Sequence, residues 1–294
     1  MALDRTALTA APIADVVQRY DARDAILYAL GLGLGDDPTD PRALRHLLES
    51  RLVVPSTFAT VLGYPFMWFE DPRFGVDGTR LVHAGHALEL HAPLPPAATV
   101  RGVTRATAIA DKGPGRGAVL VLERTLTDEA DGRPLATQTM TLMARGDGGF
   151  SERPGNGPAG GDAVAAPRAP LPQRAADATL ELRTLPQQAL LYRLVADPNP
   201  LHADPEVARA AGFERPILHG LSAYGMAGRA VATVFGDGDL GRIAGLSLRF
   251  AAPVFPGDTL RMALWDDAGT IRFRASVPGR GDVVVLDQGE ARLA

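Results

Sequence analysis

The sequence predicts an α+β protein of two similar halves, each setting a long apolar helix against a curved antiparallel sheet. Three observations carry this. Residues 146–176, GDGGFSERPGNGPAGGDAVAAPRAPLPQRAA, are dense in Gly and Pro and lack an apolar period, so they read as a linker. That stretch separates a half over 1–145 from one over 177–294, each long enough for its own core. Within each half, consecutive β-rich runs accompany one strongly apolar segment, at 53–69 and at 220–234.

Taken in order, the first half opens with mixed helix and loop. Asp21 and Asp24 precede an apolar helix over 25–30 that the GLGLG run stops. Pro41 starts a helix reaching residue 49. Residues 53–69 read as a buried helix, with a strand open for part of them. Strands are expected at 87–91, 99–110, 118–127 and 135–144, parted by Gly-containing turns. In the second half the expected order is a strand at 178–184, a helix at 186–195, a Pro-punctuated loop at 197–202, a short helix at 205–211, the long helix at 220–234, then strands at 243–250, 259–266, 270–277 and 283–286.

Composition narrows the function. The chain has 294 residues, 46% apolar and 22% charged, with net charge −4, so it is not a disordered chain. No basic cluster exists, which argues against nucleic acid as a partner. Cys is absent, excluding disulfides, thiolate metal sites and a Cys nucleophile. No apolar run has the length of a membrane span, and the first 20 residues carry Asp4, Arg5 and Asp15 in place of a leader's apolar core. A cytoplasmic protein is expected. Of the 30 basic residues 29 are Arg, which fits a GC-rich, bacterial-type genome and leaves Lys112 as the sole lysine.

Two segments could carry chemistry. In Asp197-Pro-Asn199-Pro-Leu-His202 the prolines stiffen a loop holding a carboxylate, an amide and an imidazole, the parts of a general acid/base pair. Composition alone favours an ordinary polar turn, since Asp and Asn are turn formers. In Pro216-Ile-Leu-His219-Gly220 a Gly opens a long helix, offering free N–H groups and a positive dipole end to an oxyanion or a thioester oxygen. A plain helix start packed by small residues is the other reading. Weaker patterns fall away. Gly31, Gly33 and Gly35 lack dinucleotide-loop spacing, Ser222 lies outside a nucleophile elbow, and His83, His86 and His91 match no zinc signature. His46 reads as a surface helix residue.

At these residues the chain resembles a known family. Tyr192-Arg-Leu-Val-Ala-Asp197-Pro-Asn199-Pro-Leu-His202, then Gly212-Phe and Pro216-Ile-Leu-His219-Gly220, is similar to the hydratase 2 motif of the MaoC-like (R)-specific 2-enoyl-CoA hydratases. That family includes the hydratase part of peroxisomal multifunctional enzyme type 2. Further matching stretches are Tyr28-Ala-Leu-Gly31, Leu48-Glu49-Ser50, Val54-Pro-Ser-Thr-Phe58, the strand from Leu81 through His83, Asp111-Lys112-Gly113, and Arg249-Phe250 with Pro253-Val-Phe-Pro256-Gly257. The chain departs from the family in having Ala84 where Gly is common, and Gly85-His86 where an acidic and amide pair is usual.

The resemblance implies a double hot-dog fold and reversible hydration of trans-2-enoyl-CoA to (3R)-3-hydroxyacyl-CoA. It implies that Asp197 and His202 hold the water, Asn199 orders the loop and the Gly220 N–H stabilises the enolate-like thioester oxygen. It further implies that His83, Ala84, Lys112, Phe250 and His219 bind substrate and CoA, and that Glu49 supports the site from a distance. The first half would have become an acyl tunnel, with Phe58, Phe66, Met67 and Trp68 as candidate lining. No metal or redox cofactor is implied; the partners are an acyl-CoA substrate and a second copy of the chain. A dehydratase for an unusual or carrier-bound acyl thioester, a non-catalytic acyl-CoA binder and a thioesterase are the competing readings.

Overall fold

The computed structural model describes residues 3–10, 12–152, 160–163 and 170–294. The first half runs α1 (Arg5–Ala10), β1 (Ala14–Tyr20), α2 (Ala22–Leu30), α3 (Pro41–Leu44), β2 (Leu81–Leu90), β3 (Ala98–Asp111), β4 (Ala118–Asp128) and β5 (Pro134–Ala144). The second runs β6 (Ala178–Arg183), α4 (Gln188–Tyr192), α5 (Pro205–Ala210), α6 (Gly220–Phe235), β7 (Ile243–Phe250), β8 (Thr259–Asp267), β9 (Thr270–Val277) and β10 (Val283–Leu293). All ten strands join one antiparallel sheet in the order β1-β3-β4-β5-β2-β7-β10-β9-β8-β6. The halves meet where β2 pairs with β7, Gly85 opposite Arg249 through Glu89 opposite Gly245. This is the expected α+β double hot-dog plan.

Local chemistry sets the elements. Asp21 caps α2 and Asp24 returns the bond, closing a capping box. Strands β3 to β5 alternate buried and exposed positions, because one sheet face covers the core. Helix α6 is the central helix; Ala, Gly and Ser let it pack closely on β6, β7, β8 and β10, and the Tyr224 hydroxyl donates to the Leu246 carbonyl. Strand β1 fell outside the sequence expectation, although its residues alternate from exposed to half-buried.

The first half does not repeat the long helix. Residues 54–63 are all buried, yet only Ser56–Val61 winds, as a 3-10 turn. Pro55, Gly63 and Pro65 interrupt an α-helix. Gly63 has φ +58°, and a Cβ there would sit 2.7 Å from the Gly102 Cα, so a helix could not lie this close to β3. Side chains then satisfy the buried backbone: Arg124 donates to the Thr60 carbonyl, Gln138 Nε2 to the Ala59 carbonyl at 2.7 Å, and the Gly63 N–H donates to Gln18 at 2.8 Å. The helix expected to reach residue 49 likewise stops at Leu44.

Three other expectations change. His46 is fully buried and ties the halves together: its Nδ1 meets the Val53 carbonyl at 2.6 Å, and its Nε2 lies 3.2 Å from both the Gly238 carbonyl and the Leu240 N–H. In the stretch read as a linker, the described residues up to 162 pack on the first half, while residues 170–176 lie against the second, where the Trp265 indole N–H donates to the Arg174 carbonyl at 3.0 Å. Phe150 is buried, Gly161 bridges to Ala110, and Asp162 accepts from the Ile109 N–H and from Arg5. Its residues 153–159 and 164–169 lie outside the described residues. Of the candidate tunnel residues, Phe58 and Trp68 are buried but belong to two separate apolar clusters, and Phe66 is exposed.

Candidate active site

Residues 197–202 follow α4 and end in a 3-10 turn over Pro200–His202. Their conformation is set locally. The Asp197 carboxylate accepts from the Asn199 N–H at 2.9 Å, and Asn199 Oδ1 accepts from the Leu201 N–H at 3.0 Å, two successive Asx turns. Pro200 fixes the start of the turn.

His202 is buried, and its Nδ1 lies 2.9 Å from the Ile217 carbonyl oxygen. A carbonyl only accepts, so Nδ1 carries the proton and Nε2 of the neutral ring keeps its lone pair. Burial lowers the His202 pKa; the Ile217 bond and the nearby Asp197 charge pull it partly back. The imidazole is therefore a neutral base at physiological pH, and the carboxylate lies within electrostatic reach of it.

His219 braces this loop. Its ring stacks on His202 at 3.8 Å between centroids, and its Nε2 donates to the Asp197 backbone carbonyl at 3.0 Å. Tyr192 covers it at 5.0 Å, and Tyr28 covers Tyr192 at 5.7 Å. Burial first, then the His202 charge, holds its pKa well below the usual histidine value. The ring is 3% exposed in that stack.

Gly220 follows His219 as the first residue of α6. The His219 side chain does not cap the helix, while its carbonyl accepts from Ser222 and Ala223. The Gly220 and Leu221 N–H groups thus precede the helix's own hydrogen bonds and point out of its positive end. Phe250 lies against Gly220, and its ring meets His83 at 4.9 Å. His83 sits beside a β-bulge at residue 84, where β2 shifts register against β5, so Ala84 is the extra residue. Burial lowers the His83 pKa to about 4, and its Nε2 has no partner.

The fold thus gathers Asp197, Asn199, His202, His219, Gly220, Phe250 and His83 along the seam between the halves. It does not bring two other expected residues there. Lys112 stands in the β3–β4 turn, its N–H on the Gly117 carbonyl, with no described side-chain contact to the site. Its neighbour Asp111 anchors the turn instead. Burial raises that carboxyl's pKa, but bonds from Ser151, Gly149 and Gly113 outweigh it and hold it at about 2. Glu49 is exposed and makes no hydrogen bond or ion pair with the described residues, so the supporting role implied for it has no contact behind it. Among the described residues no three His, Asp or Glu side chains converge as a metal-ligand set.

Sequence reasoning passed over Tyr64 and Arg124, and quoted Tyr192 in the motif without giving it a role. Burial raises the Tyr64 pKa to about 12; the Arg124 guanidinium, 4.8 Å from its ring centroid, lowers it and the Asp197 charge raises it. The signal for Arg124 was present: it shares the inward phase of β4 with Leu120, Leu122 and Leu126.

Comparison with known proteins agrees with this geometry. Residues 167–287 match the model of the MaoC like domain, and residues 18–146 that of the MFE-2 hydratase 2 N-terminal domain. The Mycobacterium tuberculosis protein named Enoyl-CoA hydratase ChsH3 is 40% identical, over 97% of each chain. Peroxisomal multifunctional enzyme type 2 of Mus musculus is 33% identical over 90% of this chain and 35% of its own length. The solved full-length peroxisomal multifunctional enzyme type 2 of Drosophila melanogaster superposes with a TM-score of 0.79 at 31% identity, covering 95% of this chain and 48% of that one. A MaoC-like dehydratase from Phytophthora capsici gives 0.82 at 29% identity, covering 98% and 97%. The chain belongs to the MaoC-like hydratase/dehydratase family. It is an enzyme of the hydro-lyase class.

Proposed function

We propose that the protein adds water reversibly to trans-2-enoyl-CoA and forms (3R)-3-hydroxyacyl-CoA. The observation that carries this is the neutral His202, its Nδ1 proton committed to the Ile217 carbonyl, beside the Asp197 carboxylate and near the open N-terminus of α6.

In this mechanism the water lies between Asp197 and His202. His202 Nε2 takes one of its protons as the oxygen bonds to C3. The π electrons move toward C2 and the thioester oxygen, which the Gly220 N–H stabilises. The Asp197 carboxylate receives that proton from His202 and passes it to C2 on the same face, and the second water proton stays in the new hydroxyl. The proton that leaves water is the one that reaches C2, so both groups return to their starting states. Each positioned acid or base contributes roughly 10²–10⁴ in rate. The oxyanion donor contributes about 3–4 kcal/mol. Water and substrate alone balance the reaction, and in this reading it needs neither a metal nor a redox cofactor. CoA is held by His83, Ala84, Phe250 and Lys112 in this reading, and the protein acts as a cytoplasmic homodimer; no helix among the described residues is long and apolar enough to cross a membrane.

The test is loss of the conjugated enoyl-thioester absorbance with crotonyl-CoA and a medium-chain trans-2-enoyl-CoA. Wild type consumes one or both, and Asp197→Asn and His202→Ala abolish the signal. A folded wild type that turns over neither substrate rejects the proposal.

A further inference from the structure

The apolar side chains of the first half do not form one core. Leu88, Leu126, Leu135 and Ala136 belong to one cluster, and Leu120, Leu122, Met140 and Leu142 to another. Between them a polar row crosses the sheet: Thr104 opposite Arg124 on β3–β4, and Arg124 opposite Gln138 on β4–β5. All three side chains are buried, Arg124 completely.

Arg124 is half used. Its Nη2 donates to the Thr60 carbonyl and to Gln138 Oε1, which accounts for both hydrogens on that nitrogen. Among the described residues its Nε and Nη1 have no partner, leaving three N–H bonds unmatched. The guanidinium packs over the Tyr64 ring at 4.8 Å, but its ion-pair partner is missing: among the described residues no carboxylate lies within 4.0 Å of it. A buried cation without a counter-charge is costly, and an anion that reaches it is bound strongly. Burial lowers the Arg124 pKa only to about 10, so it stays charged at neutral pH. Strand register places it near the site: Arg124 pairs through Gln138 with Leu88 on β2, and the next inward row runs Leu122, Met140, His86, whose ring lies 5.4 Å from that of His83.

Resting on the hydratase reading, we infer that Arg124 is a specificity residue whose free guanidinium N–H groups take an anionic oxygen on the acyl portion of the substrate, so that the enzyme favours enoyl-CoA thioesters whose acyl chain ends in a carboxylate. The polar row lets that carboxylate lie between the two apolar clusters, with the Thr104 hydroxyl, also unpartnered, as a second donor. Guanidinium suits this role because its charge is permanent and its donors are fixed in a plane.

The experiment compares trans-2-enoyl-CoA substrates at a short, a medium and a long chain length, each with a methyl end and with an ω-carboxylate. At one length wild type prefers the carboxylate by about tenfold or more in kcat/KM, since a buried donor left empty discriminates strongly. Arg124→Met removes that preference, lowering kcat/KM for the carboxylate-ended substrate about tenfold more than for the methyl-ended one. Arg124→Lys retains part of the preference. Because Arg124→Met also loses the bond to Thr60, binding to wild type is measured as well: the saturated ω-carboxy acyl-CoA binds about tenfold tighter than its alkyl counterpart. The inference is overturned if wild type prefers the methyl end at every length, if the variants weaken both substrates equally, or if the two saturated ligands bind alike. A wild type active on alkyl substrates without preference sinks this inference alone; one inactive on every substrate sinks the hydratase reading with it.

Discussion

Substituting Gly220 by Ala separates stability from catalysis. A Cβ on Gly220 would lie 3.3 Å from Phe250 Cε1 and 3.4 Å from its Cζ. Carbon atoms in good contact sit about 3.5–4.0 Å apart, so the ring must yield by a few tenths of an ångström. That ring also faces His83 at 4.9 Å, and the displacement carries into the proposed thioester channel. Gly220 lies outside the left-handed region, so Ala adopts its backbone without strain. Replacing Gly in a helix gains up to about 1 kcal/mol, and mild overpacking against Phe250 costs a similar amount. The net change stays within about 1 kcal/mol, or a melting shift of about 2–4 °C in a chain of this size. Catalysis suffers far more. Ala keeps the N–H but sets a methyl group beside the approach of the thioester oxygen, and losing one oxyanion donor costs about 10²–10³ in kcat. The assay follows enoyl-thioester absorbance at saturating crotonyl-CoA, beside a melting curve. A kcat within about threefold of wild type, at unchanged melting temperature, would refute the claim that the thioester oxygen approaches closely past the bare Gly220 Cα.

Other outcomes follow from the same geometry. The hydration kcat/KM stays level through neutral pH and falls once acid protonates His202 below the usual 6.5; in the inactive Asp197→Asn variant an NMR titration of His202 gives a lower pKa than in wild type, because the carboxylate raises it. His83 titrates near 4 in the fold against about 6.5 unfolded, so its contribution is complete above 6.5 and is lost as pH falls toward 4. At about 1.4 kcal/mol per unit this is up to roughly 3 kcal/mol, and urea unfolding of His83→Gln at neutral and acidic pH should show a flatter dependence than wild type. Gly225→Ala drives a Cβ to 2.5 Å from Leu32 Cδ2 and 2.9 Å from the Tyr28 hydroxyl, so it overpacks α6 against the first half and costs about 1–3 kcal/mol by denaturant unfolding.

What the sequence made legible is what short-range chemistry decides. The loop at 197–202 is held by its own Asx bonds and prolines, so its residue order already encodes its shape. Helix α6 begins at Gly220 as expected, and strands β7 and β9 fall on the expected residues. What escaped depends on long-range partners. The segment at 53–69 is apolar enough for a helix, but Pro55, Gly63 and the approach of β3 reshape it, and its carbonyls are satisfied by Arg124 and Gln138 from distant strands. His46 looks like a surface residue until Val53, Gly238 and Leu240 close around it. The Gly-rich run after residue 146 has no apolar period, yet Asp111 and Ile109 bind its described parts to the sheet. Arg124 was readable by phase alone, an inward Arg in a row of inward Leu.

The most direct test of the central claim is the stereochemistry of hydration, with crotonyl-CoA turned over in D2O and the product analysed for configuration and deuterium. The account predicts (3R)-3-hydroxybutyryl-CoA with deuterium at C2 on the face that received oxygen, an intact thioester, and no product from His202→Ala. A (3S) product, addition across opposite faces, or release of free CoA thiol contradicts it.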